Sequence, residues 1–166
     1  MGLYRNIMVA VDFSPHSEKA VSRATALAEA LDARLQLVHV VEVPTYPVLE
    51  DVAVSGLPGM WDVNLTEALM EASRRRLHNV AKRFGLSEDQ CEVLVGVAKV
   101  DLVEHADQVG ADLIVMGRHG EGFFESLVGS VTDSVMHHAH CDVLAVDVEV
   151  PQEKDGERVG DPHEQA

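Results

Sequence analysis

Apolar residues in this chain follow two rhythms in turn. Short, mostly apolar runs at Ile7–Val11, Leu35–Val41, Cys91–Val95, Leu113–Met116 and Val143–Val146 read as strands. Runs that stay apolar instead of alternating predict strands covered on both faces, as in a parallel sheet. Between them apolar side chains recur every three or four residues: Val21, Ala24, Leu27, Ala28 and Leu31; then Leu65, Ala68, Leu69, Ala72, Leu77, Val80, Ala81 and Phe84; then Leu102, Ala106 and Val109; then Val128, Val131, Val135 and Ala139. These spacings predict four helices, the second over Asp62–Phe84 and the third over Asp101–Val109. Strands alternating with helices imply an α/β fold, a three-layer αβα sandwich with five parallel strands.

Punctuation agrees with the periodicity. Ser14 before Pro15 is a helix start, with serine as N-cap and proline at the first helical position. Gly85 and Gly110 follow helical stretches and suit helix C-termini. Residues 43–61 hold Pro44, Pro47, Gly56, Pro58 and Gly59 and read as a long loop, with Trp61 anchoring its end to the core. Residues 1–150 are expected to form one domain. The polar, acidic stretch 151–166 has no periodicity and is expected to be a disordered tail.

Charge narrows the function more than composition does. A formal net charge of −15 argues against nucleic acid or an anionic membrane as the main partner. No apolar run reaches membrane-spanning length and the N-terminus lacks the apolar core of a signal peptide, so a cytoplasmic protein is expected. An anionic ligand must then be held by local backbone dipoles. Two cysteines, Cys91 and Cys141, exclude a disulfide scaffold and are read as plain thiols. His137, His138, His140 and Cys141 crowd the end of the last helix, where the dipole favours histidine, and no metal site is expected there. His39 is read as a hydrogen-bonded core residue.

The stretch Met116–Val131 (M-G-R-H-G-E-G-F-F-E-S-L-V-G-S-V) carries the candidate chemistry. It joins a buried strand to a helix. Gly117 and Gly120 are expected to let backbone approach a ligand, and Gly129-Ser130 lies where free N–H groups at a helix start favour an anion. Asp12 closes the first strand at the mouth where open α/β sheets bind ligands, or else serves only to start the turn. No catalytic residues are assigned: the glycine loop lacks the lysine of a P-loop, and no nucleophile–base pair emerges.

The blocks V-D-F-S (Val11–Ser14), His39-Val40, A-D-L-I-V-M-G-R-H-G (Ala111–Gly120), V-G-S-V (Val128–Val131) and C-D-V-L-A-V (Cys141–Val146) occur in an order that resembles the universal stress protein family. The resemblance implies a sheet ordered 3-2-1-4-5, an adenine nucleotide alpha hydrolase-like fold, and a switch point between strands 1 and 4. It also implies an adenine-nucleotide site for ATP, ADP or AMP. Ala10 and Asp12 would meet the adenosine part, Val40 would offer its backbone to the adenine edge, and Met116 would line the pocket. Gly117, His119, Gly120, Gly129, Ser130 and Val131 would surround the phosphates. Arg118 would either supply a cation to them or point to water.

The resemblance further implies a homodimer through the fifth strand, and a signalling or stress-response regulator whose bound state carries the information. The alternatives are a slow ATPase and a nucleotide-independent dimeric adaptor. One departure stands out: eight residues, Glu121–Val128, separate Gly120 from Gly129, one fewer than in the G-x2-G-x9-G-[ST] pattern of ATP-binding members. Glu121 and Glu125 would repel phosphate unless they turn away or hold a divalent ion such as Mg2+.

Overall fold

In a computed structural model of the chain, residues 2–42, 63–119 and 128–148 are described, Val63 and Asn64 by their backbone alone. Strands and helices alternate as β1 (Asn6–Ala10), α1 (Pro15–Leu31), β2 (Arg34–Val41), α2 (Val63–Arg83), β3 (Cys91–Val95), α3 (Ala98–Val109), β4 (Leu113–Gly117), α4 (Ser130–His138) and β5 (Asp142–Val146). All pairings are parallel and the sheet order is β3-β2-β1-β4-β5. The expected fold is the one observed. The loop at 43–61, Trp61, Gly120, Glu121, Glu125 and the tail beyond 150 lie outside the described residues.

Side chains of successive strand residues point to opposite faces, and the core divides accordingly. Ile7, Val9 and Val11 pack with Val21 and Ala24 of α1 and with Leu77 and Val80 of α2 on one face. Met8 and Ala10 pack with Leu102 and Ala106 of α3 and Val135 of α4 on the other. Burial on both faces is why Ile7–Ala10 of β1 and Leu113–Met116 of β4 are apolar throughout, whereas β2 places Gln36 and His39 at half-buried positions. The central strand β1 pairs Val9 with Leu37 on one side and with Val115 on the other.

Three sequence expectations change. α3 begins at Ala98, three residues before Asp101, because the Asp101 carboxylate folds back to accept the Val97 N–H and so serves the helix start from inside. Val109, expected inward, is exposed, as are Leu65 and Leu69 in the first turns of α2. Val128 precedes α4, which starts at Ser130, so it belongs to no helical stripe and is exposed.

Candidate functional site

A cavity of about 400 Å³ opens at the carboxyl ends of β1 and β4, the switch point of the sheet. That volume suits a small organic ligand. Its apolar lining comes from Ala10, Val38, Val40, Leu102 and Met116. Gly117, His119, Gly129, Ser130, Val131 and Thr132 line it from the β4–α4 connection. Asp12, His39 and Glu42 lie on the strand-end side. Of the predicted contacts, Ala10, Asp12, Val40, Met116, Gly117, His119, Gly129, Ser130 and Val131 are brought together on this one wall. Gly120 is not among the described residues. Arg118 does not line the cavity: its guanidinium donates to Asp147 at 2.8 Å and holds that carboxyl below its usual range.

The turn from β1 to α1 is built from its own side chains. The Ser14 hydroxyl accepts the Ser17 N–H at 3.2 Å, and the Ser17 hydroxyl donates to the Ser14 carbonyl at 3.0 Å. The Asp12 carboxylate accepts the Ser14 N–H at 3.0 Å and the Ser14 hydroxyl as well. Asp12 therefore closes the turn and lines the cavity at once. Phe13 sits in the left-handed region with φ 65°, a conformation that costs a bulky residue of order 1–3 kcal/mol. Its ring is held in place by His39, with centroids 4.5 Å apart, and by the Arg76 guanidinium 4.0 Å from its centroid.

His39 is hydrogen-bonded as expected, its Nδ1 lying 2.7 Å from the Val11 carbonyl oxygen. A carbonyl can only accept, so Nδ1 carries the proton. The residue is not sealed in the core, for it lines the cavity. Burial pushes its pKa down and outweighs the opposing pull of the Val11 carbonyl.

The turn from β4 to α4 contrasts with the first. Gly129 is the N-cap of α4 and offers no side chain to the helix start. Its own N–H is taken, donated to the Arg118 carbonyl at 2.9 Å, and the Arg118 N–H goes to Val146 at 2.7 Å. The donors left for a ligand are those of the first helical turn, Ser130 to Thr132, which an α-helix cannot satisfy internally. Thr132 is buried and donates its hydroxyl to the Gly117 carbonyl at 2.8 Å, fastening strand to helix.

Gly117 lines the cavity and also meets a packing constraint. A Cβ there would stand 2.7 Å from the His16 Cβ and 2.9 Å from the His16 carbonyl carbon. The missing side chain admits the start of α1. His119 is 4% exposed, and its Nδ1 is buried without a hydrogen-bond partner among the described residues. Such an orphaned group costs about 1–3 kcal/mol.

Residues 3–147 match the model of the universal stress protein family. The chain belongs to that family. Universal stress protein A homolog 2 of Coxiella burnetii is 36% identical over 148 residues, which span 88% of this chain and 97% of the relative. The universal stress protein UspA of Lactobacillus plantarum superposes with a TM-score of 0.60 at 29% identity, over 86% of this chain and 97% of its own. A universal stress protein solved in complex with cAMP superposes with a TM-score of 0.56 at 28% identity, over 86% and 96% of the two chains.

Within this universal stress protein the sequence left several wall residues unmarked. Ser17, Leu69, Ala98, Leu102, Glu42 and Thr132 all line the cavity. Leu102 was legible only as core, and Ser17 only as the helix residue after a cap. Glu42 accepts the Ala98 N–H at 2.9 Å, so it ties β2 to the start of α3. No helix among the described residues is long and apolar enough to cross a membrane.

Proposed function

We propose that this universal stress protein binds an adenine nucleotide in the cavity and acts as a cytoplasmic signalling or stress-response regulator through its bound state. The observation that carries the reading is the polarity of the cavity. Apolar Val40, Leu102 and Met116 line the same cavity as the start of α4, whose first-turn N–H groups have no partner among the described residues. Asp12 also lines the cavity, with Oδ1 taken by Ser14, and a carboxylate there suits the paired hydroxyls of a ribose. A related protein that holds cAMP supports an adenine ring as the apolar part.

ATP, ADP and AMP share that adenosine part. Mg2+ fits as an ion carried by the phosphates. Among the described residues the carboxylates lining the cavity are Asp12 and Glu42, and both already accept backbone N–H groups. No lysine lines the wall among those residues, which favours binding over phosphoryl transfer as the working property.

The protein is proposed to pair with a second copy through β5. That strand closes one edge of the sheet, with Leu144 exposed. Native mass spectrometry of the freshly purified chain tests the nucleotide reading, with an adenine nucleotide expected to co-purify. Titration calorimetry with AMP, ADP and ATP follows. If none of the three binds, the dimeric adaptor becomes the better reading.

A further inference from the structure

Three side chains far apart in the sequence meet behind the glycine turn. His16 comes from the first turn of α1, His119 from the residues after β4, and Asp147 from just beyond β5. One ligand atom from each lies within 4.8 Å of the other two. The His16 Nε2 is already 3.6 Å from the Asp147 Oδ1. The two imidazoles stand edge to face with centroids 5.1 Å apart.

We propose that His16, His119 and Asp147 form a site for a divalent transition-metal ion of the zinc class. Bonds of roughly 2.0–2.2 Å to nitrogen and oxygen set ligand-to-ligand separations of about 3.3–3.5 Å in a tetrahedron. The His16–Asp147 pair, at 3.6 Å, is close to that spacing, and the His119 ligand atom lies within 4.8 Å of both. Two imidazoles and one carboxylate select zinc-like ions over magnesium or calcium, which demand oxygen. Three protein ligands leave a fourth position for water or a ligand oxygen.

A second observation is independent of the clustering. His119 is almost fully buried, yet its Nδ1 finds no partner among the described residues. The fold has paid attention to its neighbours: the Arg118 guanidinium takes the Asp147 Oδ2 at 2.8 Å and leaves Oδ1 turned toward His16. The same arrangement fixes the carboxylate that would bridge to the ion. This site lies on different residues from the exposed His137, His138 and His140, which bond within α4 or to Asp107. It does not rest on the nucleotide reading.

The test uses the full chain stripped with a chelator, with Zn2+ alone added in calorimetry and Co2+ alone added for its ligand-field spectrum. His137→Gln, His138→Gln and His140→Gln together remove the surface histidines of that helix end and give the reference protein. The reference is expected to bind one ion per chain, with Co2+ showing tetrahedral nitrogen–oxygen coordination. Adding Asp147→Asn, at an exposed position where the fold is not at risk, is expected to weaken Zn2+ by at least about tenfold. Adding His119→Gln is expected to abolish the cobalt bands. A reference protein that binds no ion overturns the site. So does one whose ion is unaffected by Asp147→Asn and by His16→Gln.

Discussion

Two strand-to-helix turns frame the cavity, and they treat their helix starts in opposite ways. At β1–α1 the orphan N–H groups are absorbed locally, through the Ser14 hydroxyl, the Pro15 ring and the Asp12 carboxylate. At β4–α4 the cap is Gly129, which supplies no side chain, and its N–H serves the loop instead. Both helices carry the same dipole, but only the first has a side-chain cap. A helix N-terminus is therefore an anion site only where the sequence declines to cap it. The first turn is left to present a carboxylate, suited to hydroxyls and hostile to phosphate.

Glycines at the two ends of the β4–α4 connection break this contrast most sharply. Gly129→Val places a branched side chain at the open helix start. It is expected to reduce binding of AMP, ADP and ATP by at least about a hundredfold in calorimetry, through lost hydrogen bonds to charged oxygens. The thermal transition of the empty protein should move little. Gly117→Ala should do the reverse: its Cβ would meet the His16 backbone and Cβ, forcing α1 away from β4. A destabilisation of about 1–3 kcal/mol in denaturant unfolding is expected. If Gly117→Ala spares stability and removes binding, that glycine serves the ligand and the close packing of α1 is incidental.

Asp12→Ala comes next in size. The carboxylate faces hydroxyls that all adenine nucleotides share, so affinity for AMP, ADP and ATP should fall by one common factor, about ten- to a hundredfold. Losing the acceptor for the Ser14 N–H also loosens the turn. Ser14→Ala therefore serves as the control: it should cost about 1 kcal/mol of stability while affinity changes by less than the Asp12 variant shows. Equal losses of affinity in both would make Asp12 a turn residue only.

Much of this contrast could be read before any coordinates. Ser14-Pro15 announced a capped helix, and Gly129-Ser130 an uncapped one, because capping depends on residues adjacent in the chain. The apolar runs of β1 and β4 gave the layers, since central parallel strands are buried on both faces. The order of the strands came from the family resemblance. What could not be read lies in contacts between distant segments. Nothing near Gly117 in sequence says that His16 will press on it. Arg118 stayed open between a cation for phosphate and a side chain in water because its partner, Asp147, sits beyond β5. Phe13 gave no sign of a left-handed backbone, since the ring stacking that holds it comes from β2 and α2. Val128 misled for a local reason: its spacing to Val131 and Val135 fits a helix that begins two residues later.

The smallest expected effect concerns His39, which joins the closed turn to the cavity wall. Burial lowers its pKa from the ordinary 6.5, the nearby Arg76 adds to the lowering, and the Val11 carbonyl and Asp12 oppose it. In the unfolded chain the imidazole binds a proton as pH falls through 6.5, whereas in the folded chain it resists until a lower pH. Between those two points the unfolded state holds more protons, so stability must decline as pH falls, and the decline levels off once the folded imidazole is protonated too. Above 6.5 the contribution is fully present. His39→Gln keeps an N–H donor for the Val11 carbonyl and removes the titration. Denaturant unfolding at pH 7.5 and at pH 5.5 is expected to show a larger loss of stability in the natural chain than in His39→Gln. Equal losses in the two proteins would mean that solvent reaches the ring freely, and that the Val11–His39 bond closes the turn without setting its response to acid.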